Sequence, residues 1–204
     1  MRTVIVLGNI ENIDLKDLSN SYLIGVEYGA YHLIELGMSP DLAIGDFDSV
    51  DIDTFKKIER GAKKIIKLNP IKDITDTEAA ILNRVSDDVL ILGGIKGKRI
   101  EHFYANLMLL KKYPFITLKD EYSKIFIASK YAYTEHEYKF ISIFPVNDFV
   151  TLSLHHMKYE VSDYILDSKT PTLGISNEAL GIGEIIIKKD LAFVFFTKDD
   201  HEKL

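Results

Sequence analysis

The run Leu42-Ala43-Ile44-Gly45-Asp46-Phe47-Asp48-Ser49-Val50 begins apolar and ends in two aspartates one residue apart. In extended chain, alternate residues point the same way and lie roughly 6–7 Å apart. Asp46 and Asp48 are therefore expected to aim both carboxylates at one spot, with Phe47 turned into apolar packing. Two ionised carboxylates at that spacing repel by about 2–3 kcal/mol at an effective dielectric of about 20. A bound cation removes that cost. Mg²⁺ suits such a site, because it takes one or two carboxylates and keeps its other positions for water and substrate phosphates. The plainer reading is a loop in which Asp48 or Ser49 caps the next helix.

A second acidic run reads Lys72-Asp73-Ile74-Thr75-Asp76-Thr77-Glu78. Thr75 followed three residues later by Glu78 has the form of a capping box, so a helix should start there. Asp76 in its first turn complements the helix dipole without any ligand. Taken with Asp46 and Asp48, however, Asp73 and Asp76 place four aspartates on two loops. Their mutual repulsion calls for a counter-charge, which Mg²⁺ carrying a polyphosphate would supply.

The run Gly93-Gly94-Ile95-Lys96-Gly97-Lys98-Arg99 offers the opposite charge. Glycines let backbone amides approach phosphate oxygens, and a helix N-terminus beyond them favours anions. Lys96, Lys98 and Arg99 are basic, and arginine grips phosphate with two bonds. No Gly-Lys-Ser/Thr is present, so this is not a Walker A loop. A tight strand-to-helix connection is the plainer reading. His102 and Asn106 fall one turn apart on a helix face, fit for catalysis or for a buried hydrogen-bonded brace. His32, His136, His155, His156 and His201 follow no metal-ligand spacing.

These runs need elements to position them. Thr3–Leu7, Tyr22–Val26, Leu42–Ile44, Lys64–Leu68 and Val89–Leu92 read as buried strands. Helices are expected over Glu27–Leu36, Asp51–Arg60, Thr75–Val85 and Glu101–Lys112, the last apolar almost all round and hence well buried. That alternation predicts an α/β domain with a mainly parallel sheet. Ligands in such sheets bind beyond the carboxyl ends of the strands, where all three polar clusters fall. After about residue 115 only strand patterns follow: 116–119, 124–129, 140–144, 150–154, 183–188 and 191–197, with a hairpin turn at Lys189-Asp190. They predict an all-β sandwich or barrel. The expected division is 1–122 and 123–204, within a boundary zone of 115–130.

At 204 residues with 47% apolar content, the chain fits one large domain or two small ones. The absence of cysteine excludes disulfides and thiolate metal sites and suits the cytoplasm. No apolar run approaches the roughly 18–20 residues that span a bilayer, and no signal peptide is expected. A formal charge of −6 argues against a general nucleic-acid surface.

Four stretches in order resemble the thiamine pyrophosphokinase family across about Gly25 to Lys198. They are Ser39–Ser49 with its Phe47-Asp48-Ser49; Lys72–Asp76 with Glu78 and Ala79; Gly94–His102 with Ala105-Asn106; and Leu173-Gly174-Ile175-Ser176-Asn177-Glu178. The resemblance implies an α/β domain followed by a β-sandwich, working as a homodimer with thiamine held between the first domain of one subunit and the second of the other. It implies transfer of pyrophosphate from ATP to the hydroxyethyl oxygen of thiamine, with Mg²⁺ as cofactor. Asp46, Asp48, Asp73 and Asp76 would hold the metal, with Asp48 or Asp76 taking the alcohol's proton. Arg99 and Lys98 would stabilise phosphate oxygens, with Thr75, Glu101 and His102 also at the nucleotide. Ser176 and Asn177 would contact thiamine. The family's usual Asp-Gly-Gly-Ala here reads Glu27-Tyr28-Gly29-Ala30, and its Asp-His reads Glu101-His102; both predict an altered substrate fit, a shifted metal or a reduced rate. The other readings weighed are a related pyrophosphokinase for another alcohol, such as a hydroxymethylpterin, and a non-catalytic thiamine or nucleotide sensor.

Overall fold

Runs of β-branched and aliphatic residues become strands that are buried on both faces. The computed structural model describes all residues except 9, 11, 98, 171–173 and 200–204. The chain forms two compact units, Met1–Glu121 and Tyr122–Leu204.

In the first unit the elements are β1 (Arg2–Val6), α1 (Leu15–Leu18), β2 (Ser21–Val26), α2 (Tyr28–Glu35), β3 (Leu42–Gly45), α3 (Ile52–Gly61), β4 (Ile65–Lys67), α4 (Asp76–Leu82), β5 (Val89–Leu92), α5 (Ile100–Lys112) and β6 (Ile116–Lys119). The strands pair in parallel in the order β6-β5-β1-β2-β3-β4. Every residue of β3 and β5 is buried, as expected for a sheet covered by helices on both faces. Val4, Val6, Leu23, Leu33, Leu90 and Leu92 form one core cluster; Ala43, Phe47, Val50 and Ile58 belong to another. Strand order reverses between β5 and β1, which opens a crevice at the carboxyl ends of these strands.

Local signals set the helix starts. Asp51, rather than Asp48 or Ser49, caps α3, accepting from the Asp53 and Thr54 amides. Thr75 caps α4, as the capping box predicts, but Glu78 does not reach back; its carboxylate accepts from Lys112 Nζ and the Tyr113 hydroxyl instead. α4 stops at Leu82 rather than Val85, where the Asn83 side-chain amide donates to the Ala79 carbonyl and the Asn83 backbone amide donates to the Ala80 carbonyl. α5 is not buried all round: Asn106, Leu109 and Leu110 are covered, whereas Ile100, Tyr104 and Met108 are exposed. A single face of the helix meets the core, whatever its apolar content. α1 is one turn long, too short to show a period.

The second unit holds β7 (Ser123–Ala128), β8 (Tyr131–Tyr133), β9 (Phe140–Pro145), β10 (Phe149–Met157), β11 (Val161–Asp167), β12 (Asn177–Lys189) and β13 (Ala192–Thr197). Their pairings within this unit are antiparallel: β13 lies between β7 and β9, and β10 between β11 and β12. β12 pairs with three strands. Asn177 and Glu178 pair with β9, and the strand from Glu184 onward pairs with β10 and β8. The core between them includes Ile141, Val150, Ile185, Val194 and Phe196, each at most 2% exposed. The Lys189-Asp190 hairpin is a correction: the chain reverses there, but β13 pairs with β7 and β9 rather than with β12. Asp190 takes the left-handed conformation (φ 67°) and its carboxylate accepts from the Leu191 amide and Asn147. No helix among the described residues is long and apolar enough to cross a membrane.

Candidate active site

At the carboxyl ends of β1 to β5 lies a cleft of about 460 Å³. Each strand contributes through the residues that follow it: Gly8 after β1, Glu27 and Tyr28 after β2, Ser49 after β3, Asp76 after β4, and Gly94 and Arg99 after β5. Close approach is built in. A Cβ on Gly29 would sit 2.0 Å from the Val6 carbonyl oxygen, so only glycine lets α2 start against β1. Gly94 has φ 78°, and a Cβ there would sit 2.5 Å from the Asn106 amide nitrogen. That amide donates to the Gly94 carbonyl at 3.0 Å, so buried Asn106 is the brace of the glycine-rich loop.

The acids do not converge as alternation along a strand predicts. β3 ends at Gly45, and Phe47 adopts a left-handed conformation (φ 58°) with its ring buried against Phe55. The chain therefore turns between Asp46 and Asp48. The Asp48 amide donates to Asp46 Oδ1 at 3.2 Å, and Asp48 itself is exposed. The acids that gather are Glu27, Asp46 and Asp76, each with a carboxylate oxygen within 4.8 Å of the others. Asp48 and Asp73, both exposed, fall outside this trio. Glu27 enters because β2 and β3 are parallel neighbours with Val26 beside Ile44, so the next residues share one edge. That juxtaposition follows from sheet order, and no run within the sequence displays it.

Lys72 supplies the cation of the cluster. Its ammonium lies 3.4 Å from Asp46 and 3.0 Å from Asp76, with the lysine side chain 17% exposed. Its i,i+4 spacing to Asp76 was the available sequence signal. Burial opposes the Lys72 charge, but the hydrogen bonds and charges of Asp76 and Asp46 outweigh it and raise its pKa. Burial, reinforced by Asp46, raises Glu27 above the ordinary carboxylate value. For Asp46 burial is outweighed by the Asp48 amide and by hydrogen bonding with Glu27 and Lys72, which hold its pKa low.

The remaining predicted residues divide. Thr75 lines the cleft, but its hydroxyl oxygen accepts from the Glu78 amide as the helix cap. His102 lines the cleft and is exposed. Arg99 also lines it, with Nε donating to Glu101 at 2.8 Å, and that bond lowers the Glu101 pKa. Lys96 is paired with Glu121. Lys98 lies outside the described residues. Tyr28, standing where the resembled motif has glycine, lies on the cleft wall, edge-on to Tyr31 and His32 at 5.2 Å.

In the second unit a separate pocket of about 250 Å³ is lined by Ile141, Leu152, Tyr159, Tyr164, Leu166 and Asn177, among others. Gly174 is required beside it, since a Cβ would sit 2.0 Å from the Ile143 carbonyl oxygen. Ser176 is exposed in a left-handed conformation, its amide donating to Ser142 Oγ. Asn177 is committed to the fold: its amide group donates to the Tyr159 carbonyl and accepts from the Tyr159 amide. Leu173, the first residue of that motif, lies outside the described residues.

Residues 16–126 match the family model for the thiamin pyrophosphokinase catalytic domain. A curated thiamine pyrophosphokinase of Bacillus subtilis (strain 168) is 30% identical over 195 residues, covering 88% of this chain and 91% of that protein. The chain belongs to the thiamine pyrophosphokinase family. The crystal structure of the Bacillus subtilis thiamine pyrophosphokinase superposes with a TM-score of 0.86 at 27% identity, covering 98% of this chain and 100% of that one. That of the Geobacillus thermodenitrificans protein superposes at 0.87, and at 24% identity it speaks for the fold alone, over 98% of this chain and 99% of that one. Within the thiamine pyrophosphokinase family, then, this chain carries the Glu27–Asp46–Asp76 trio at the strand ends.

Proposed function

We propose that the protein is a Mg²⁺-dependent thiamine pyrophosphokinase that transfers the β,γ-pyrophosphoryl group of ATP to the hydroxyethyl oxygen of thiamine. The alcohol oxygen bonds to the β-phosphorus, the bond from that phosphorus to the α-phosphate bridging oxygen breaks, AMP leaves, and the alcohol proton passes to a carboxylate. The observation that carries this reading is the meeting of Asp46 with Asp76, a lining residue of the strand-end cleft, in a chain of this family.

The donor set fits the metal. It is all oxygen, it is anionic, and Asp76 Oδ1 is buried, held by the Lys72 ammonium at 3.0 Å. Asp46 and Asp76 would hold Mg²⁺, with Asp48 and Asp73 on the exposed rim toward its water shell. The metal, when bound, neutralises the polyphosphate and the charge that spreads over it during transfer. Lys72, already between the two aspartates, limits their repulsion beforehand. Arg99 lies on the loop that would meet the phosphates, near His102 and Glu101; Lys98, its neighbour in the sequence, is proposed to share that role. Asp48 or Asp76 is proposed to receive the alcohol proton. Most of the catalysis asked of these residues is alignment and charge neutralisation. Ser176, exposed at the edge of the sandwich pocket, would contact thiamine, while Asn177 shapes that pocket. The working form is proposed to be a cytoplasmic homodimer, as the family resemblance implies.

Purified protein incubated with ATP, Mg²⁺ and either thiamine or a hydroxymethylpterin tests the reading. AMP and thiamine diphosphate formed in equal amounts are expected; turnover of the pterin alone, or binding without turnover of either, would contradict it. The family matches do not favour the pterin.

A further inference from the structure

Glu27 is the member of the acid trio that does not touch the lysine. The ion pairs of Lys72 go to Asp46 and Asp76. The Glu27 carboxylate faces the loop after β3: Oε1 accepts from the Phe47 amide at 2.9 Å, and Oε2 accepts from the Ser49 hydroxyl at 3.0 Å. Both oxygens are therefore engaged with that loop before any ligand arrives.

The backbone of Glu27 is held just as firmly. Its φ and ψ are 50° and −116°, a costly conformation for a residue with a side chain, and one that persists only where the surroundings enforce it. The enforcing bonds are its own amide donating to the Ile44 carbonyl and its carbonyl accepting from the Ala30 amide. Glu27 is thereby tied to the end of β3 and the first turn of α2 together. Its side-chain stem lies against Gly45, where a Cβ would come within 2.6 Å of Glu27 Cγ. The loop it reaches is itself strained, since Phe47 is left-handed at φ 58°. An aspartate here would be one methylene shorter and could not span from the β2 edge to both Phe47 and Ser49 in this arrangement.

We infer that Glu27 is a positioning residue, clamping the Asp46–Ser49 loop through Phe47 and Ser49 so that Asp46 faces Asp76, and that it does not itself ligate the metal. The inference rests on the reading of Asp46 and Asp76 as metal ligands, and its test separates the two. Glutamine can reproduce the clamp, its carbonyl accepting from the Phe47 amide and its NH₂ donating to Ser49 Oγ. Alanine cannot.

The experiment compares wild type, Glu27→Gln, Glu27→Ala and Gly45→Ala in three measurements: hydrogen–deuterium exchange of the Phe47–Ser49 segment in metal-free buffer, Mn²⁺ affinity, and steady-state kinetics. Glu27→Ala is expected to speed exchange of that segment at least about tenfold while exchange elsewhere stays within error. It is also expected to weaken Mn²⁺ binding and to lower kcat/KM by about 100-fold, the cost of a misplaced catalytic group. Glu27→Gln should restore protection and Mn²⁺ affinity to within about threefold of wild type, a change too small for a lost metal ligand. Gly45→Ala, which wedges the Glu27 stem, should resemble Glu27→Ala and serves if that variant does not fold. Unchanged exchange in Glu27→Ala would overturn the clamp. Protection retained in Glu27→Gln with Mn²⁺ affinity lost as fully as in Glu27→Ala would make Glu27 a ligand instead. A wild type without turnover would sink the proposed reaction, yet the exchange result would still decide the clamp.

Discussion

The strand-end cleft of the first unit and the pocket of the second are built on opposite principles. The cleft is assembled by loops, each following a different parallel strand, and its character is set by charge: Glu27, Asp76 and Arg99 line it, and Asp46 and Lys72 adjoin Asp76. The pocket of the second unit is lined largely by strand residues, and its character is set by shape, through Ile141, Leu152, Leu166 and the rings of Tyr159 and Tyr164. In the cleft a charge can be altered with the sheet left intact, because the acids sit outside the core. In the second unit the pocket walls are also core residues, so altering the site and altering the fold are hard to separate. The division suits a reaction in which one partner is a highly charged polyphosphate and the other a small heteroaromatic alcohol.

Substitutions can break this contrast. The largest effect is expected from Asp46→Asn or Asp76→Asn, each lowering kcat about 10³-fold or more as the electrostatic support of transfer is lost. Their denaturant midpoints should stay near wild type. Marked unfolding of both would show that the cleft acids are structural after all. Next comes Phe196→Ala, which empties a fully buried position in the core of the second unit. A loss of about 3–5 kcal/mol is expected from its unfolding curve; a loss below about 1 kcal/mol would contradict the core described for the second unit.

Glu78 sharpens the comparison by placing a charge in the first unit that serves the fold alone. It is buried, and Lys112 and Tyr113 hold its pKa below the ordinary glutamate value, against the opposing effect of burial. For an acid with a depressed folded pKa, the stabilisation is present above the unfolded value of about 4.5 and disappears as pH falls through the folded value. Glu78→Gln should therefore cost about 2 kcal/mol near neutral pH, with the gap from wild type closing in acid. An equal gap at every pH would assign the loss to packing.

The smallest expected effects lie at the Ser176-Asn177 pair. Asn177→Ala should destabilise by about 1–3 kcal/mol, since it strips both bonds from Tyr159. Ser176→Ala should leave the melting temperature unchanged and raise KM for thiamine up to about tenfold, the scale of one hydrogen bond. The reverse pattern would exchange the roles of the two residues.

How much of this could be read beforehand follows from where each signal lies. Val89–Leu92 is legible because a strand buried on both faces is apolar without interruption. The start of α4 is legible because Thr75 and Glu78 are neighbours in the sequence. β8 and β11 escape because they are short or mostly exposed, with Tyr131, Tyr133 and Ile165 facing outward and no clean alternation. The first half of β12 escapes for the same reason, as Leu180 and Ile182 are exposed. Asp46 and Asp48 were placed on a common face by assuming extended chain, and the left-handed turn at Phe47 defeats that assumption. The family resemblance marks Glu27, but its meeting with Asp46 and Asp76 follows only from strand adjacency. A parallel sheet brings distant loops together, and sequence spacing carries no record of that.

The central claim is that Asp46 and Asp76, of the four aspartates on these loops, do most of the metal holding. Mn²⁺ titrations in the presence of a non-hydrolysable ATP analogue test it directly, with wild type and the four single Asp→Asn variants at 46, 48, 73 and 76. The account predicts that the changes at 46 and 76 weaken binding at least about tenfold more than those at 48 and 73. Equal losses at all four positions, or larger ones at 48 and 73, would contradict it.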